Sequence, residues 1–278
     1  MAASKVWLIT GVSSGFGRQL AQAALARGDV VAGTLRQPAQ LAAFEALAPG
    51  RARAYQLDVT DTAAVERVVA QIGRDTGRID VVVNNAGYGL VGMAEEVSEA
   101  EARRLLDTNF FGLLAVVRTA LPQLRAQRSG HIVNISSTAG SVGIAGMALY
   151  SASKFAVEGL SEALAGEVGP LGIRVTIVEP GGFRTDFAGR SIGRSQRVVA
   201  DYADTKAAKV RAMLDQYHGH QAGDPAKAAK AILQLVDSPA PPLRLALGPD
   251  ALAWLRSRLA DVSKDYDAWQ AVSESTNF

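Results

Sequence analysis

The stretch VWLITGVSSGFG, residues 6–17, joins an apolar run to a glycine-rich turn. Val6–Thr10 has the length and composition of a buried strand, and a helical pattern follows from Arg18 to Arg27. Glycine lets the backbone approach phosphates closely, and a helix N-terminus supplies free N–H groups. The alternative is a purely structural tight turn, but the order strand, glycine turn, helix favours a pyrophosphate site.

The composition is that of a folded globular chain. Of its 278 residues, 48% are hydrophobic, and 29 Lys and Arg against 27 Asp and Glu give a net charge of +2. This composition excludes a disordered chain, and the charged residues form no basic stripe that could bind nucleic acid. With no cysteine and three histidines (His131, His218 and His220), we expect no metal site. No targeting segment or membrane-length apolar run is visible, so we expect a cytoplasmic protein.

Short β-branched runs alternate with longer Ala-, Leu-, Arg- and Glu-rich stretches along most of the chain. This alternation predicts an α/β fold: a Rossmann-type, doubly wound parallel sheet in three layers, forming one domain over residues 1–278. The predicted strands are Val6–Thr10, Val30–Leu35, Arg53–Leu57, Val81–Asn84, His131–Ser136, Arg174–Glu179 and Leu243–Leu247.

Two segments depart from this rhythm. Residues 183–223 form a long stretch with no convincing strand, which is typical of a lid or binding loop. Residues 249–278 are expected to form a helical tail.

The glycine spacing Gly-x-x-x-Gly-x-Gly resembles the cofactor loop of the short-chain dehydrogenase/reductase family. Further motifs follow in the family's order over about residues 5–250. They are Asn84-Asn85-Ala86-Gly87 after the fourth strand, Asn109 in a helical stretch, Ser137 thirteen residues before Tyr150, Lys154 in Tyr-x-x-x-Lys, and Pro180-Gly181-Gly182-Phe183-Arg184-Thr185 after the sixth strand.

The resemblance implies roles for named residues. The catalytic residues would be Asn109, Ser137, Tyr150 and Lys154. The cofactor-binding residues would be Gly11, Ser13, Ser14, Gly15, Phe16, Gly17, Arg36, Asp58, Val59, Asn85, Ala86, Gly87, Tyr150, Lys154, Pro180, Gly181, Phe183 and Thr185. Asn109 would hold a water that links Lys154 to solvent; from the residues alone, a helical Asn bonded to backbone is the alternative.

The chemistry of carbonyl reduction suits Ser137, Tyr150 and Lys154. Hydride transfer to a carbonyl leaves an alkoxide that needs a proton, and a free phenol, with a pKa of about 10, is a poor donor near neutrality. A nearby ammonium would lower that pKa, so we expect Lys154 to tune Tyr150. Ser137 can stabilise the developing oxyanion. A second Tyr-x-x-x-Lys begins at Tyr202, but no strand ending in Ser precedes it, so we interpret Tyr202 as a lid residue.

The end of the second strand predicts which dinucleotide binds. In the family, NAD preference goes with an acid at the position of Leu35, and this chain has none there. Arg36 follows, and Ser13 lies in the glycine loop; a guanidinium pairs well with the 2′-phosphate of NADP(H). We therefore expect NADP(H), although Arg36 could also be a solvated strand-end residue. Asp58 and Val59 resemble the family's adenine contact, and Asp58 could cap a helix as well as or instead of making that contact.

The candidate pocket walls are mostly apolar and predict an apolar ketone, aldehyde or alcohol as the small-molecule substrate. The wall residues are Tyr88, Leu90, Val91, Met93, Val142, Ile144, Met147, Leu149, Phe187, Ile192, Val198, Val199, Met213 and Tyr217, with Phe183. Core packing is the alternative for many of them. The lid arginines could instead bind an acidic substrate: Arg184, Arg190, Arg194, Arg197 and Arg211.

The sequence thus predicts an NADP-dependent carbonyl reductase. Alternatives left open are a 3-oxoacyl thioester reductase and a non-catalytic NADP-binding regulator; the glycine spacing disfavours a sugar-nucleotide epimerase. By resemblance, we expect a homodimer or homotetramer formed through helices near Glu99–Gln127 and Tyr150–Glu167.

Overall fold

The structure, a computed structural model, describes residues 4–278, with the side chains of Ala188 and Asp215 excepted. Its nine strands are β1 (Val6–Ile9), β2 (Val30–Leu35), β3 (Ala52–Gln56), β4 (Val81–Asn84), β5 (Gly89–Val91), β6 (Gly130–Ile135), β7 (Ile173–Pro180), β8 (Ile192–Arg194) and β9 (Arg244–Leu247).

The α-helices within the described residues are α1 (Gly15–Ala26), α2 (Leu41–Glu45), α3 (Thr62–Thr76), α4 (Glu99–Leu106), α5 (Gly112–Gln127), α6 (Ala148–Val168), α7 (Lys206–Tyr217), α8 (Pro225–Asp237), α9 (Pro249–Ala268) and α10 (Gln270–Glu274). Between α4 and α5 the chain passes through a π-helical turn, Asp107–Phe111.

Seven strands form one parallel sheet in the order β3-β2-β1-β4-β6-β7-β9. The chain winds outward from β1 to β3 and then crosses back to β4 on the other side of β1. The carboxyl ends of β1 and β4 therefore flank the switch point, where ligands bind in open α/β sheets. The predicted doubly wound fold is confirmed.

Helices cover both faces of this sheet and separate two apolar cores. On one face α1, α2 and α8 pack over β1 and β2, with Leu20, Phe44 and Ile232 buried. On the other face α3, α5 and α6 pack over the same sheet, with Ile72 and Val116 buried. Because both faces are covered, the strands are nearly continuous apolar runs, which is why the sequence pattern revealed them.

A second, two-stranded sheet was missed by the sequence analysis. β5 pairs in parallel with β8, in register Gly89 with Ile192 and Val91 with Arg194. The expectation that residues 183–223 contain no strand was wrong at β8. Each strand has three residues and includes a glycine, so neither produces a periodic signal; the pairing between distant segments creates them.

One helical stretch among the described residues, Glu99–Gln127, is long and apolar enough to cross a membrane. An 18-residue part of it has a mean hydropathy of 1.2, and 44% of that part is buried in the protein. It spans α4, the π-helical turn and α5, and α5 packs on α3 and the sheet. Core helices have the same composition, so this segment by itself does not establish a membrane span.

Candidate active site

The glycine loop lies at the switch point between β1 and α1. Gly11 (φ +72°) and Gly15 (φ +57°) adopt left-handed backbone conformations that favour glycine. A Cβ on Gly11 would lie 3.2 Å from the Ala86 Cα, so the loop also packs tightly against the turn after β4. The first turn of α1 carries no acidic side chain, which leaves its positive end available to an anion.

A cavity of about 480 Å³ opens in front of this helix N-terminus. Its lining combines the glycine loop with the start of the lid segment: Ser13, Ser14, Gly15, Arg18, Gln19, Arg184, Thr185, Asp186, Arg190, His218, Gly219 and Pro225. Free N–H groups, hydroxyls and guanidinium groups suit a pyrophosphate. The residues present therefore fit the central part of a dinucleotide.

Asn85 braces the glycine loop from the turn after β4. Its Nδ2 donates to the carbonyl oxygens of Thr10 and Gly11, at 2.9 Å each. Thr10 Oγ1 in turn accepts from the backbone N–H groups of Asn85 and Ala86, at 3.0 Å each. These hydrogen bonds hold the glycine loop in the conformation that lines the cavity. From its sequence position, Asn85 was predicted only to contact the cofactor.

A second cavity, of about 600 Å³, lies at the ends of β2 and β3 and is lined by Arg36, Gln37, Gln56, Leu57, Asp58, Asp61, Ala64 and Arg67. Asp61 caps α3, whereas Asp58 Oδ1 accepts from the N–H and hydroxyl of Thr60; the alternative of Asp58 as the cap was wrong. The Val59 side chain is buried in the core. The exposed Arg36 is part of this lining, and the sequence predicts that it binds the 2′-phosphate of NADP(H).

The predicted catalytic residues come together at the carboxyl end of β6 and the start of α6. Tyr150 lies in the first turn of α6, and Lys154 follows one turn later on the same face. Lys154 Nζ donates to the Ile135 carbonyl at 2.8 Å and lies 5.9 Å from the centre of the Tyr150 ring. Ser137, two residues beyond the end of β6, interacts with the Tyr150 phenol and lowers its pKa.

Burial is the largest cause of the pKa shifts of Tyr150 and Lys154. Burial raises the pKa of Tyr150 to about 12, against a smaller lowering by the Ser137 hydrogen bond. Burial also lowers the pKa of Lys154 to about 8, although the carboxylate of Glu158 opposes it. Lys154 is not among the causes that shift the pKa of Tyr150, so the tuning of the phenol by this ammonium stays a prediction.

Asn109 lies buried in the π-helical turn and faces the same centre. Its Oδ1 accepts from Tyr88 N at 3.0 Å, and its Nδ2 donates to the Tyr88 carbonyl at 2.9 Å and to Ser153 Oγ at 3.1 Å. A Cβ on Gly87 would lie 3.0 Å from Asn109 Oδ1 and 3.7 Å from Lys154 Nζ. Gly87, Asn109 and Lys154 thus converge on one point.

The loop after β7 faces the glycine loop across the crevice. Thr185 lies beside Gly15, 3.7 Å from where a Cβ on Gly15 would be, and the rings of Phe16 and Phe183 meet edge to face at 5.0 Å. Pro180 ends β7 and Gly181 follows it, and the next residue, Gly182, donates its N–H to Asp250 Oδ2 at 2.7 Å. Asp250 was missed by the sequence analysis, where it is simply an acid in the first turn of a helix.

An apolar cluster surrounds the phenol of Tyr150, which is 5% exposed. The Phe187 ring of the lid segment lies 5.5 Å from the Tyr150 ring. The rest of the cluster comprises Leu90, Val91, Leu105, Ala139, Met147 and Ile192, with Tyr88, Val97, Ile144, Leu149 and Leu214 packed against it. Several predicted wall residues are therefore found together, whereas Val198 and Met213 point to solvent.

Carboxylates from the segment after β5 hold the lid segment in place. Glu96, whose side chain is fully buried, accepts from Met93 N and Val199 N and forms an ion pair with Arg211. Burial raises the pKa of Glu96, but these hydrogen bonds outweigh it and keep the pKa below its usual value. Glu101 accepts from Gln196 N at 3.2 Å. No sequence pattern marked this set of contacts.

The lid arginines are engaged by the protein itself. Arg211 binds Glu96, and Arg190 binds Asp186 at 2.5 Å. Arg184 donates to the Gln221 carbonyl and Arg197 to the Glu95 carbonyl. Arg194 is likewise not free. Tyr202, the second Tyr-x-x-x-Lys residue, lies in a 3₁₀ turn and donates to Glu95 Oε1 at 2.5 Å, away from the catalytic group.

The family signature described as "short chain dehydrogenase" matches residues 5–195. Together with the parallel sheet, the glycine loop and the Ser, Tyr and Lys at the end of β6, this match shows that the chain belongs to the short-chain dehydrogenase/reductase family. It is therefore an oxidoreductase of a family that uses nicotinamide cofactors.

Three known proteins illustrate the similarity. A short-chain dehydrogenase from Streptomyces avermitilis has the same fold with a TM-score of 0.92 and 47% identity, covering 99% of this chain and 100% of its own. The 3-ketodihydrosphingosine reductase of Bacteroides thetaiotaomicron is 41% identical over 248 residues, 88% of each chain. A serine dehydrogenase complexed with NADP⁺ has a TM-score of 0.75 and 29% identity, covering 88% of this chain and 94% of its own.

Proposed function

We propose that this protein is an NADP-dependent reductase of apolar ketones or aldehydes, with Tyr150 as the proton donor. The observation that carries the proposal is the environment of Tyr150: its phenol is enclosed by apolar side chains and by Phe187 of the lid segment. Apolar surroundings of this kind favour an apolar substrate whose single polar group meets the phenol.

The substrate class follows from whether the arginines of the lid segment already have partners within the protein. The lid arginines that could bind a carboxylate are held by Glu96, Asp186 and backbone carbonyls. An acidic substrate that recruited Arg211 would leave Glu96 buried and unpaired. The name of the Bacteroides relative, which specifies a ketone and a reductase, supports the same direction.

The chain's own residues divide the work. Bound NADPH supplies the hydride. The α1 N-terminus, Ser13 and Ser14 would hold the pyrophosphate, Arg36 the 2′-phosphate, Lys154 the ribose hydroxyls and Thr185 the carboxamide. Ser137 would donate to the oxygen of the substrate, and Tyr150 would deliver the proton to it. Asn109, next to Lys154, would position the water that restores that proton.

A substrate panel with two cofactors tests the proposal. The loss of near-ultraviolet absorbance of NADPH, with NADH in parallel, is followed with matched pairs of ketones, one apolar and one carrying a carboxylate. We expect faster turnover with NADPH and with the apolar member of each pair. Preference for the carboxylates would overturn the substrate class, and preference for NADH would overturn the role of Arg36.

A further inference from the structure

The C-terminal helix α9 has little contact with the rest of its chain. Of its twenty residues, Ala251 alone is buried. Large apolar side chains beyond it are exposed to a high degree, at 71% for Leu259, 73% for Tyr266 and 66% for Trp269. In proteins most helical stability comes from packing one face against a neighbour. Among residues 4–278 nothing covers Leu259, Tyr266 or Trp269, whereas Leu255 and Val262 are half-buried.

Five large apolar residues of α9, together with Trp269 at its C-cap, follow a regular spacing, whereas the exposed Trp254 lies off it. Leu252, Leu255, Leu259, Val262, Tyr266 and Trp269, here called the tail stripe, are separated by three, four, three, four and three residues. This is the spacing of the a and d positions of a coiled coil, with an average period of 3.5 residues. The exposed face of α9 is therefore a narrow apolar seam that can pair with one further helix.

We propose that the tail stripe pairs with the tail stripe of a second copy of this chain, with the two α9 helices antiparallel. In this register Leu259 faces the partner's Val262, Leu255 faces the partner's Tyr266, and Leu252 faces the partner's Trp269. Each aromatic ring then faces a leucine. A parallel pair would instead place Tyr against Tyr and Trp against Trp in the same layers.

The flanking charges select the same orientation. Arg258 and Asp265 occupy equivalent heptad positions, each one residue before an apolar residue of the stripe. Such positions face one another in an antiparallel pair, so Arg258 meets the partner's Asp265 at two symmetric places. In a parallel pair Arg258 would face a serine and Asp265 a glutamine, with no ion pair. The charge pattern is therefore complementary to itself in the antiparallel orientation alone.

Charge also argues against a lipid surface as the occupant. Residues 249–278 carry five acidic side chains and three basic ones. Helices that lie on membranes are rich in Lys and Arg on the polar face, because membrane surfaces are commonly anionic. A second copy is favoured, and it makes a contact separate from the α4–α6 region expected from the family resemblance.

Charge reversal tests both the partner and the orientation. The full-length protein is compared with Arg258→Asp, with Asp265→Arg and with the double variant, by sedimentation equilibrium over a range of concentrations. Lys264→Asp and Asp261→Arg, which make the same charge changes away from the seam, are the matched controls. We expect each single reversal to raise the dissociation constant of the largest assembly at least tenfold, and the double reversal to restore it.

Two results would overturn the proposal. One is that the single reversals associate like their controls, or that the double variant fails to recover. The other is that the wild-type protein sediments with vesicles of phosphatidylcholine and phosphatidylglycerol and the Leu259→Glu variant does not, while the two proteins have the same mass in solution. Thermal unfolding and NADPH turnover of every variant show whether the fold and the active site are intact, since none of the substituted residues lines the described cavities.

Discussion

Lys154 Nζ lies 5.9 Å from the centre of the Tyr150 ring and is held there by a 2.8 Å hydrogen bond to the Ile135 carbonyl. The carbonyl fixes the lysine to the end of β6, so its distance from the phenol is set by the sheet. With a pKa of about 8, Lys154 loses its charge near physiological pH, whereas Tyr150, with a pKa of about 12, keeps its proton. In the proposed function the charged Lys154 holds the ribose hydroxyls of the cofactor, so we expect the loss of its charge to limit reduction at high pH.

The pH dependence of kcat/KM should move when Glu158 is changed. For NADPH-dependent reduction we expect kcat/KM to fall as pH rises through about 8, where Lys154 deprotonates. Glu158, one turn further along α6, raises the pKa of Lys154 when charged. Glu158→Gln removes that charge and should shift the midpoint to lower pH. Glu162→Gln, a more exposed partner of the same Arg244, is the control; an equal shift in both variants would contradict the account.

Replacing Arg36 should affect one cofactor selectively. Arg36→Leu removes the guanidinium from the cavity at the end of β2. A hydrogen bond to a charged group contributes about 1.5–3 kcal/mol, so KM for NADPH should rise about 10- to 100-fold. KM for NADH, which lacks the 2′-phosphate, is the internal reference and should change little. A similar rise for both cofactors would contradict a role in phosphate recognition.

Loss of Arg211 should open the lid segment. Arg211→Met leaves the carboxylate of Glu96 buried without its cation, a change that typically costs about 3–5 kcal/mol. Limited proteolysis between residues 196 and 211 should therefore become at least tenfold faster, and KM for the ketone should increase. Arg103→Met, which breaks an exposed ion pair with Glu99 outside the lid segment, is the matched control and should have little effect. Equal cleavage rates would show that this ion pair does not hold the lid.

Buried His131 should make the protein less stable in acid. Burial lowers its pKa to about 4, and Nε2 pairs with Thr176 Oγ1 at 2.9 Å. The unfolded chain, with a histidine pKa of about 6.5, binds a proton that the folded protein does not, so the free energy of unfolding falls as pH drops from 6.5 to 4, by up to about 3 kcal/mol. Urea unfolding of His131→Gln at pH 7 and pH 4.5 should show a smaller loss. Exposed His220→Gln should behave as wild type; an unchanged loss in His131→Gln would contradict the assignment.

The sequence was most informative where local chemistry dictates structure. All seven strands of the main sheet were predicted within about two residues at each end, because a parallel sheet covered on both faces demands apolar runs. The start of α4 is likewise set by local chemistry, since Ser98 and Glu101 form a capping box in which both hydrogen bonds are present.

The rest depends on contacts between distant segments. Glu96 looks like any surface acid until the fold brings Val199 and Arg211 to it. Likewise, the acidity of Tyr150 could not be predicted from the i,i+4 spacing to Lys154, because the spacing reveals neither the burial of the phenol nor the hydrogen bond that holds the ammonium away. β5 and β8 exist only as partners of each other.

Tyr150→Phe tests the central claim, that the phenol of Tyr150 supplies the proton. The substitution keeps the ring that contacts Phe187 and removes the hydroxyl alone. We predict that kcat for NADPH-dependent ketone reduction falls about 10²- to 10⁴-fold, while the dissociation constant for NADPH, from fluorescence titration, changes less than about threefold. A variant that reduces the ketone at the wild-type rate with unchanged NADPH affinity would contradict the account.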